Sequence, residues 1–244
     1  MFRNLAVEEA LAHALSTGLQ TQSTLRVWSN PRAVVVGRFQ EISNEVDLRQ
    51  CNLNDVAIAR RFTGGGTVFH DEATLNLTIA KRLGQSTANL SFQEGYLCLV
   101  SEAINDLGIR SSTSRNSILF DGRKLCGAAA AVGPHFALWH CSILVGTDTG
   151  MLERVLAPSK SAVKSRFVHS RWQQVTTLRQ ALSKPISIEK VTASIEKKLE
   201  AKMGIRLRPG QLGQEEEQLS QALYESKYYV NKWNLEGNRG FGTG

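Results

Sequence analysis

The chain is poor in cysteine. Four of them, Cys51, Cys98, Cys126 and Cys141, are scattered through 244 residues with no CxxC pair. That excludes a disulfide framework or a cysteine-based zinc cluster and suits the reducing cytoplasm. His13, His135 and His169 have no metal-ligating spacing with one another, so no protein-held metal site is expected. No apolar run approaches the roughly 20 residues that a membrane span requires. The N-terminal MFRNLAVEEALAHAL carries acids early and lacks an apolar stretch of signal-peptide type, so it does not read as a secretory signal. Repeats and low-complexity segments are absent. Helix-turn-helix, zinc-finger and aromatic RNP patterns are missing too, which argues against nucleic acid. Two phosphate-binding fingerprints, GxxxxGK[ST] and GxGxxG, are also missing.

What is present is an ordinary globular composition, 42% hydrophobic and 21% charged. The length fits one large domain, or one domain with a small appendage. A net charge of +7 suits an anionic ligand or an acidic protein partner. The charges are dispersed rather than massed, so charge alone does not choose between them.

Periodicity supplies the elements. Asn4 is placed to cap a first helix that ends at Gly18, with Glu8 and Glu9 near its positive end. Residues 25–28 and 33–37 read as strands, separated by a turn at Ser29, Asn30 and Pro31. Leu75, Leu77 and Ile79 alternate with polar residues, the mark of a strand with one buried face. Ser91 and Glu94 form a capping box for a helix carrying Leu97, Val100, Ile104 and Leu107 and closed by Gly108. Residues 117–120 and 123–126 form a hairpin around Asp121-Gly122, a pair that tolerates a type I′ turn. Residues 138–145 read as another strand. Ser187 opens an amphipathic helix with Val191, Ile195, Leu199 and Met203 on one face, and a last helix spans 214–227. The residues after Trp233 read as a loose tail. Without a strict βαβ rhythm, the class is α/β of the α+β type, a mixed β-sheet flanked by helices. Residues 1–236 form a single domain, and 237–244 a Gly-rich flexible tail.

Three segments carry chemistry. The densest is RRFTGGGTVFHD, residues 60–71. Three consecutive glycines let the backbone approach a ligand closely and expose its N–H groups, which suits a phosphate or an adenylate. Arg60 or Arg61 can supply charge to the same anion. The plain alternative is a tight turn between strands. The second is DGRKLCGAAAA, residues 121–131, where Lys124 follows a rigid turn beside unusually small side chains. A lysine held there can neutralise a phosphate and polarise an acyl carbonyl, whereas an isolated strand lysine is commonly just solvated. The third is Trp139-His140-Cys141-Ser142. A lone histidine on an apolar strand is more often a satisfied core residue than a ligand contact. Cys126 and Cys141 are either nucleophiles or small packing groups.

In order along the chain, NLAVEEAL (4–11), VVVGRFQ (34–40), EVDL (45–48), ARRFTGGGTVFHD (59–71), LNLTIA (75–80), GRKLCGAA (122–129) and LWHCSILVGTD (138–148) resemble the lipoate-protein ligase A family of the biotin/lipoate ligase fold group. Weaker similarity runs through LERVLAP (152–158) to KYYVNKWN (227–234), so nearly the whole chain is covered. The GRGRxGRxW-type loop of the related biotin ligases is absent. The resemblance implies a cytoplasmic enzyme that uses ATP with Mg²⁺, activates lipoate as lipoyl-AMP and passes the lipoyl group to a carrier-protein lysine. It implies that Arg61, Gly64, Gly65, Gly66 and His70 bind the adenylate, that Lys124 is the central catalytic residue, and that Asn76 and His140 line the pocket.

Many members carry a further C-terminal domain for which this sequence has no counterpart. It resembles the shorter, archaeal-type catalytic subunit, which implies a separate accessory protein supporting adenylation. The carrier is open between a glycine-cleavage carrier, a 2-oxo acid dehydrogenase acyltransferase and a lipoyl carrier of sulfur oxidation. Two other functions remain: a lipoyl or octanoyl transferase of the same fold working through a cysteine thioester, and a non-catalytic adenylate sensor or carrier-binding module. An intact Lys124 and a complete glycine loop argue against the sensor.

Overall fold

The computed structural model describes residues 1–83, 91–157 and 168–237. In chain order the elements are α1 (Phe2–Thr17), β1 (Thr24–Trp28), β2 (Ala33–Val36), α2 (Leu48–Leu53), β3 (Ala57–Arg60), β4 (Val68–His70), β5 (Thr74–Arg82), α3 (Ser91–Asp106), β6 (Ser112–Ser114), β7 (Ser117–Phe120), β8 (Arg123–Val132), β9 (Phe136–Leu144), α4 (Thr149–Val155), α5 (Leu178–Leu182), α6 (Ile188–Met203), α7 (Gln214–Leu223) and α8 (Asn231–Glu236). A 3₁₀ turn, Ile42–Asn44, precedes α2, and a π-helical turn, Tyr224–Tyr228, links α7 to α8.

The strands build two sheets. The larger has the order β1-β5-β9-β8-β7-β6, antiparallel at every pairing. The smaller has the order β3-β2-β4, with β2 parallel to β3 and antiparallel to β4. The α+β class expected from the sequence is therefore present, and mixed pairing is confined to the small sheet.

Helix α1 joins the sheets. Val7, Leu11 and Leu15 pack with Ala80 and Leu138 of the large sheet, while Leu5 and Ala6 pack with Val35 and Ala59 of the small one. A helix covered on two sides needs a wide band of apolar or very small residues, which Leu5, Ala6, Val7, Ala10, Leu11, Ala12, Ala14 and Leu15 supply. The other face of the large sheet is closed by α3 and α6, with Val100, Ile104, Ile195 and Leu199 set against Leu77, Trp139 and Ile143. Each such aliphatic side chain contributes about 1.5–3 kcal/mol by leaving water. Helices α2 and α4 cover the small sheet through Cys51, Met151 and Val155.

Several local expectations are met. Gly18 and Gly108 stand in the left-handed conformation after α1 and α3, as does Gly204, not foreseen, after α6. Ser187 caps α6 by accepting the Lys190 N–H. Asp121 and Gly122 have φ of 48° and 74°, the type I′ requirement.

Others are corrected. Helix α1 starts at Phe2, so Asn4 lies inside it and turns its amide to Ser29 and Asn30 instead of capping. Strand β5 is buried on both faces, because α1 covers the side carrying Thr78. Met203 is exposed at the end of α6. The last predicted helix breaks into α7 and the π turn, and the residues after Trp233 continue as α8 with Asn234 buried. The capping side chain of Ser91 and the tail 238–244 lie outside the described residues. Helices α2, α4, α5 and α8 and strands β3, β4 and β6 were too short to show a periodic signal.

Candidate active site

The glycine segment is the connection between β3 and β4, at the seam of the two sheets. Gly65 has φ of 89°, a conformation that L side chains resist. Gly37 faces it so closely that a Cβ there would overlap the Gly65 carbonyl oxygen. Arg61 shapes this loop. Its guanidinium donates to the Val35, Gly64 and Gly66 carbonyl oxygens at 3.1, 2.6 and 2.7 Å and to Thr63 Oγ1 at 3.0 Å. With those carbonyls turned onto Arg61, the N–H groups of Gly64, Gly65 and Gly66 have no acceptor among the described residues. Burial lowers the Arg61 pKa to about 10, so the charge persists at neutral pH. Arg60, the other candidate, points away. It is fully buried and donates to the carbonyls of Gly37, Gln40 and Trp233, tying α8 to the small sheet.

Lys124 enters from β8. The β7–β8 register shifts between Ile118 and Leu119, leaving Leu125 as the extra residue of a bulge. Bulges re-aim side chains, and this one brings Lys124 alongside Gly127, where an added Cβ would lie 2.8 Å from Cε and Nζ. The ammonium has no hydrogen bond or ion pair among the described residues. Burial lowers its pKa from the ordinary lysine value, and Arg61 acts in the same direction.

Two cavities meet at Lys124. One, of about 700 Å³, is bordered by Arg61, Gly65, Gly66, His70, Asn76 and His140. The other, of about 380 Å³, is more apolar and is walled by Phe69, Leu144, Leu152, Leu156, Trp172 and Val175. Lys124, Gly127 and Ser142 border both. The structure thus gathers the expected residues, with Gly64 the exception. It borders neither cavity, and its carbonyl rests on Arg61.

His140 is held as a core histidine that also borders the cavity. Its Nδ1 lies 2.9 Å from Glu8 Oε1 and its Nε2 lies 2.9 Å from Thr63 Oγ1. Glu8 is wholly buried in α1 and also accepts from the Thr78 hydroxyl. Burial alone would raise the Glu8 pKa, but His140 and Thr78 outweigh it and hold the carboxyl below its ordinary value. Trp28 Nε1 donates to Thr78 Oγ1 at 2.9 Å and extends the chain to β1. Sequence reasoning did not single out Glu8, Thr63 or Gly127. The available signals were an acid at a position flanked by the apolar residues of α1 and a glycine three residues after the lysine.

Cys126 and Cys141 lie on neighbouring strands and are both buried. Burial, with Cys126 nearby, pushes the Cys141 thiol well above the ordinary value. Cys126 borders the apolar cavity and Cys141 the polar one.

Residues 1–200 match the family described as the lipoyl protein ligase A/B catalytic domain. The chain belongs to that family. Among relatives in this family, lipoate-protein ligase A subunit 1 of Thermoplasma acidophilum is 27% identical over 95% of this chain and 91% of its own length. Octanoyltransferase LipM of Symbiobacterium thermophilum is 29% identical over 95% and 93%. A crystal structure of lipoate-protein ligase A bound with ATP superposes with a TM-score of 0.84 at 26% identity, covering 96% of this chain and 93% of that one. The protein is therefore an enzyme of a family that joins lipoate ligases with octanoyl transferases, with the fold of the ligases. Among the described residues no helix is long and apolar enough to cross a membrane.

Proposed function

We propose that this family member is a lipoate-protein ligase, with residues 1–236 as one catalytic domain acting in the cytoplasm. The observation that carries the reading is the place of Lys124, an ammonium unpaired among the described residues where an apolar and a polar cavity join. An acyl adenylate has that same division: an apolar chain, a polar nucleotide and a mixed anhydride between them. The apolar cavity would take the dithiolane and alkyl chain of lipoate. The larger one would take ATP, with its phosphates against the N–H groups of the glycine loop.

In the first step a lipoate carboxylate oxygen attacks the α-phosphorus of ATP. The bond to pyrophosphate breaks and lipoyl-AMP forms. In the second the amine of a carrier lysine attacks the acyl carbonyl, loses a proton, and AMP leaves. Lys124 would offset charge on the phosphoryl and carbonyl oxygens in both steps, a role worth several kcal/mol in a water-poor site. Among the described residues no group of three or more His, Cys, Asp or Glu side chains could hold a metal ion, and Mg²⁺ would enter on the nucleotide phosphates.

The ATP-bound relative supports the nucleotide. The relative named as subunit 1 supports a second polypeptide assisting adenylation. The net charge of +7 suits an acidic lipoyl carrier. A second reading, octanoyl transfer through a cysteine thioester, is favoured by the similarity to LipM and by the cysteines bordering both cavities.

One experiment separates them. The protein is incubated with a lipoyl-domain carrier and, in turn, lipoyl-AMP, lipoate with ATP, or an octanoylated carrier without ATP. Products are read by intact mass and by pyrophosphate release. A ligase modifies the carrier from lipoyl-AMP, and from lipoate only when ATP is present. Transfer from the octanoylated carrier without ATP, and none from lipoyl-AMP, would overturn the ligase reading.

A further inference from the structure

We infer that Arg26 and the Ser29 carbonyl together set the polarity of a hydrogen-bond relay, Asn4–Asn30–His70–Ser142–Asn76, that holds the Asn76 amide with its NH₂ group offered to the polar cavity. His70 is then a positioning residue. The relay begins on β1, where Arg26 Nη2 donates to Asn4 Oδ1. A guanidinium has donors only, so this contact fixes which end of the Asn4 amide is oxygen. Asn4 Nδ2 consequently donates to Asn30 Oδ1 at 2.9 Å, and also to the Ser29 carbonyl at 3.0 Å. The other end of the Asn30 amide, Nδ2, lies 3.0 Å from His70 Nδ1. An NH₂ facing that nitrogen requires it to be the acceptor, which places the ring proton on Nε2. His70 Nε2 lies 2.9 Å from Ser142 Oγ and donates to it. The single Ser142 hydroxyl proton is left for Asn76 Oδ1 at 2.7 Å. Asn76 Nδ2 is the end of the line. It is buried and has no hydrogen-bond partner among the described residues, and Asn76 borders the polar cavity.

Every member points the same way, and reversing any one sets like against like or leaves a hydrogen without an acceptor. A flipped Asn76 would present its NH₂ to a hydroxyl already receiving from His70, and the Ser142 proton would lose its acceptor. An imidazolium would lose the Asn30 contact, and burial, with Arg61 adding to it, holds His70 neutral with a pKa of about 3. A buried NH₂ without an acceptor costs free energy, so a relay that keeps it there prepares the site for an oxygen acceptor. That the acceptor is a phosphoryl or acyl oxygen of the adenylate rests on the ligase reading. The polarity of the relay does not.

Two measurements test the inference. Nitrogen-15 spectra of histidine-labelled protein at pH 7, with the His70 signal assigned through His70→Gln, should show an unprotonated Nδ1 and a protonated Nε2. In Asn30→Asp, which faces His70 Nδ1 with an acceptor in place of the NH₂, the ring proton should move to Nδ1. The opposite tautomer or an imidazolium in the wild type would overturn the relay.

The second measurement is calorimetric affinity for a lipoyl-sulfamoyl adenosine analogue. Asn76→Asp keeps an acceptor for Ser142 and replaces the offered NH₂ by a carboxylate oxygen. Its affinity should fall roughly tenfold to hundredfold. Ser142→Ala should lose affinity as well, and Ser142→Thr should restore most of it. Wild-type affinity in Asn76→Asp would overturn the inference. No binding by the wild type would instead sink the ligase reading, with the spectra still deciding the relay.

Discussion

Gly127 is the seat of the Lys124 side chain. An added Cβ would lie 2.8 Å from both Cε and Nζ, closer than carbon and nitrogen approach without bonding. The three-residue spacing of lysine and glycine works because the bulge at Leu125 breaks the alternation of β8. Without it the two residues would face opposite sides of the sheet.

The first prediction follows from that contact. Gly127→Ala should displace the ammonium and lower carrier lipoylation roughly tenfold to hundredfold. Lys124→Ala should lower it by about 10²–10³, the usual cost of one positioned electrostatic contact. Both proteins should melt close to the wild type, since Lys124 carries no structural ion pair among the described residues. Single-turnover transfer from lipoyl-AMP checks both, and wild-type rates in Lys124→Ala would remove Lys124 from the chemistry.

The glycine loop gives the second. Gly65 has φ of 89°, and a Cβ there would press on Arg61 Nη2 at 3.0 Å and Ala129 Cβ at 3.3 Å. Gly65→Val should therefore disturb the guanidinium that holds the loop and weaken adenylate-analogue binding by at least tenfold. Titration calorimetry measures this, and an unchanged affinity would reduce the triple glycine to a turn.

The third concerns the buried thiols. Burial raises the Cys141 pKa, and a thiolate is the nucleophile that a thioester needs. Cys126→Ser and Cys141→Ser should each keep most of the lipoyl-AMP-dependent activity. An acyl-enzyme visible by mass spectrometry, lost in either variant together with activity, would establish the transferase.

The fourth is a pH dependence. Burial holds the folded pKa of His70 at about 3, against an ordinary histidine value of 6.5. Between those values the unfolded chain binds a proton that the folded chain refuses. The stabilisation is present above pH 6.5 and is lost on acidification toward pH 3, by up to about 1.4 kcal/mol per pH unit. The urea midpoint should fall from pH 6.5 to 5 in the wild type and fall less in His70→Gln. Equal slopes would place the proton uptake elsewhere.

Much of this protein was determined by local sequence. Gly18, Gly108 and Gly204 end helices because each takes a left-handed conformation that other residues resist, and Asp121-Gly122 makes a I′ turn for the same reason. The glycine loop and Lys124 were visible because their chemistry is compressed into short segments. Only the tertiary structure decided the rest. Glu8, Thr63 and His140 are separated by up to 132 residues and meet because α1 is wedged between two sheets. The alternating pattern of β5 suggested one wet face. The helix laid over it turned Thr78 into a buried partner of Glu8, and Asn76 became the end of a relay. Arg60 and Arg61 are neighbours in sequence and look interchangeable there. Strand alternation sends one to the carbonyls beneath α8 and the other to the glycine loop, a division set by the pleat and by what each face happens to pack against.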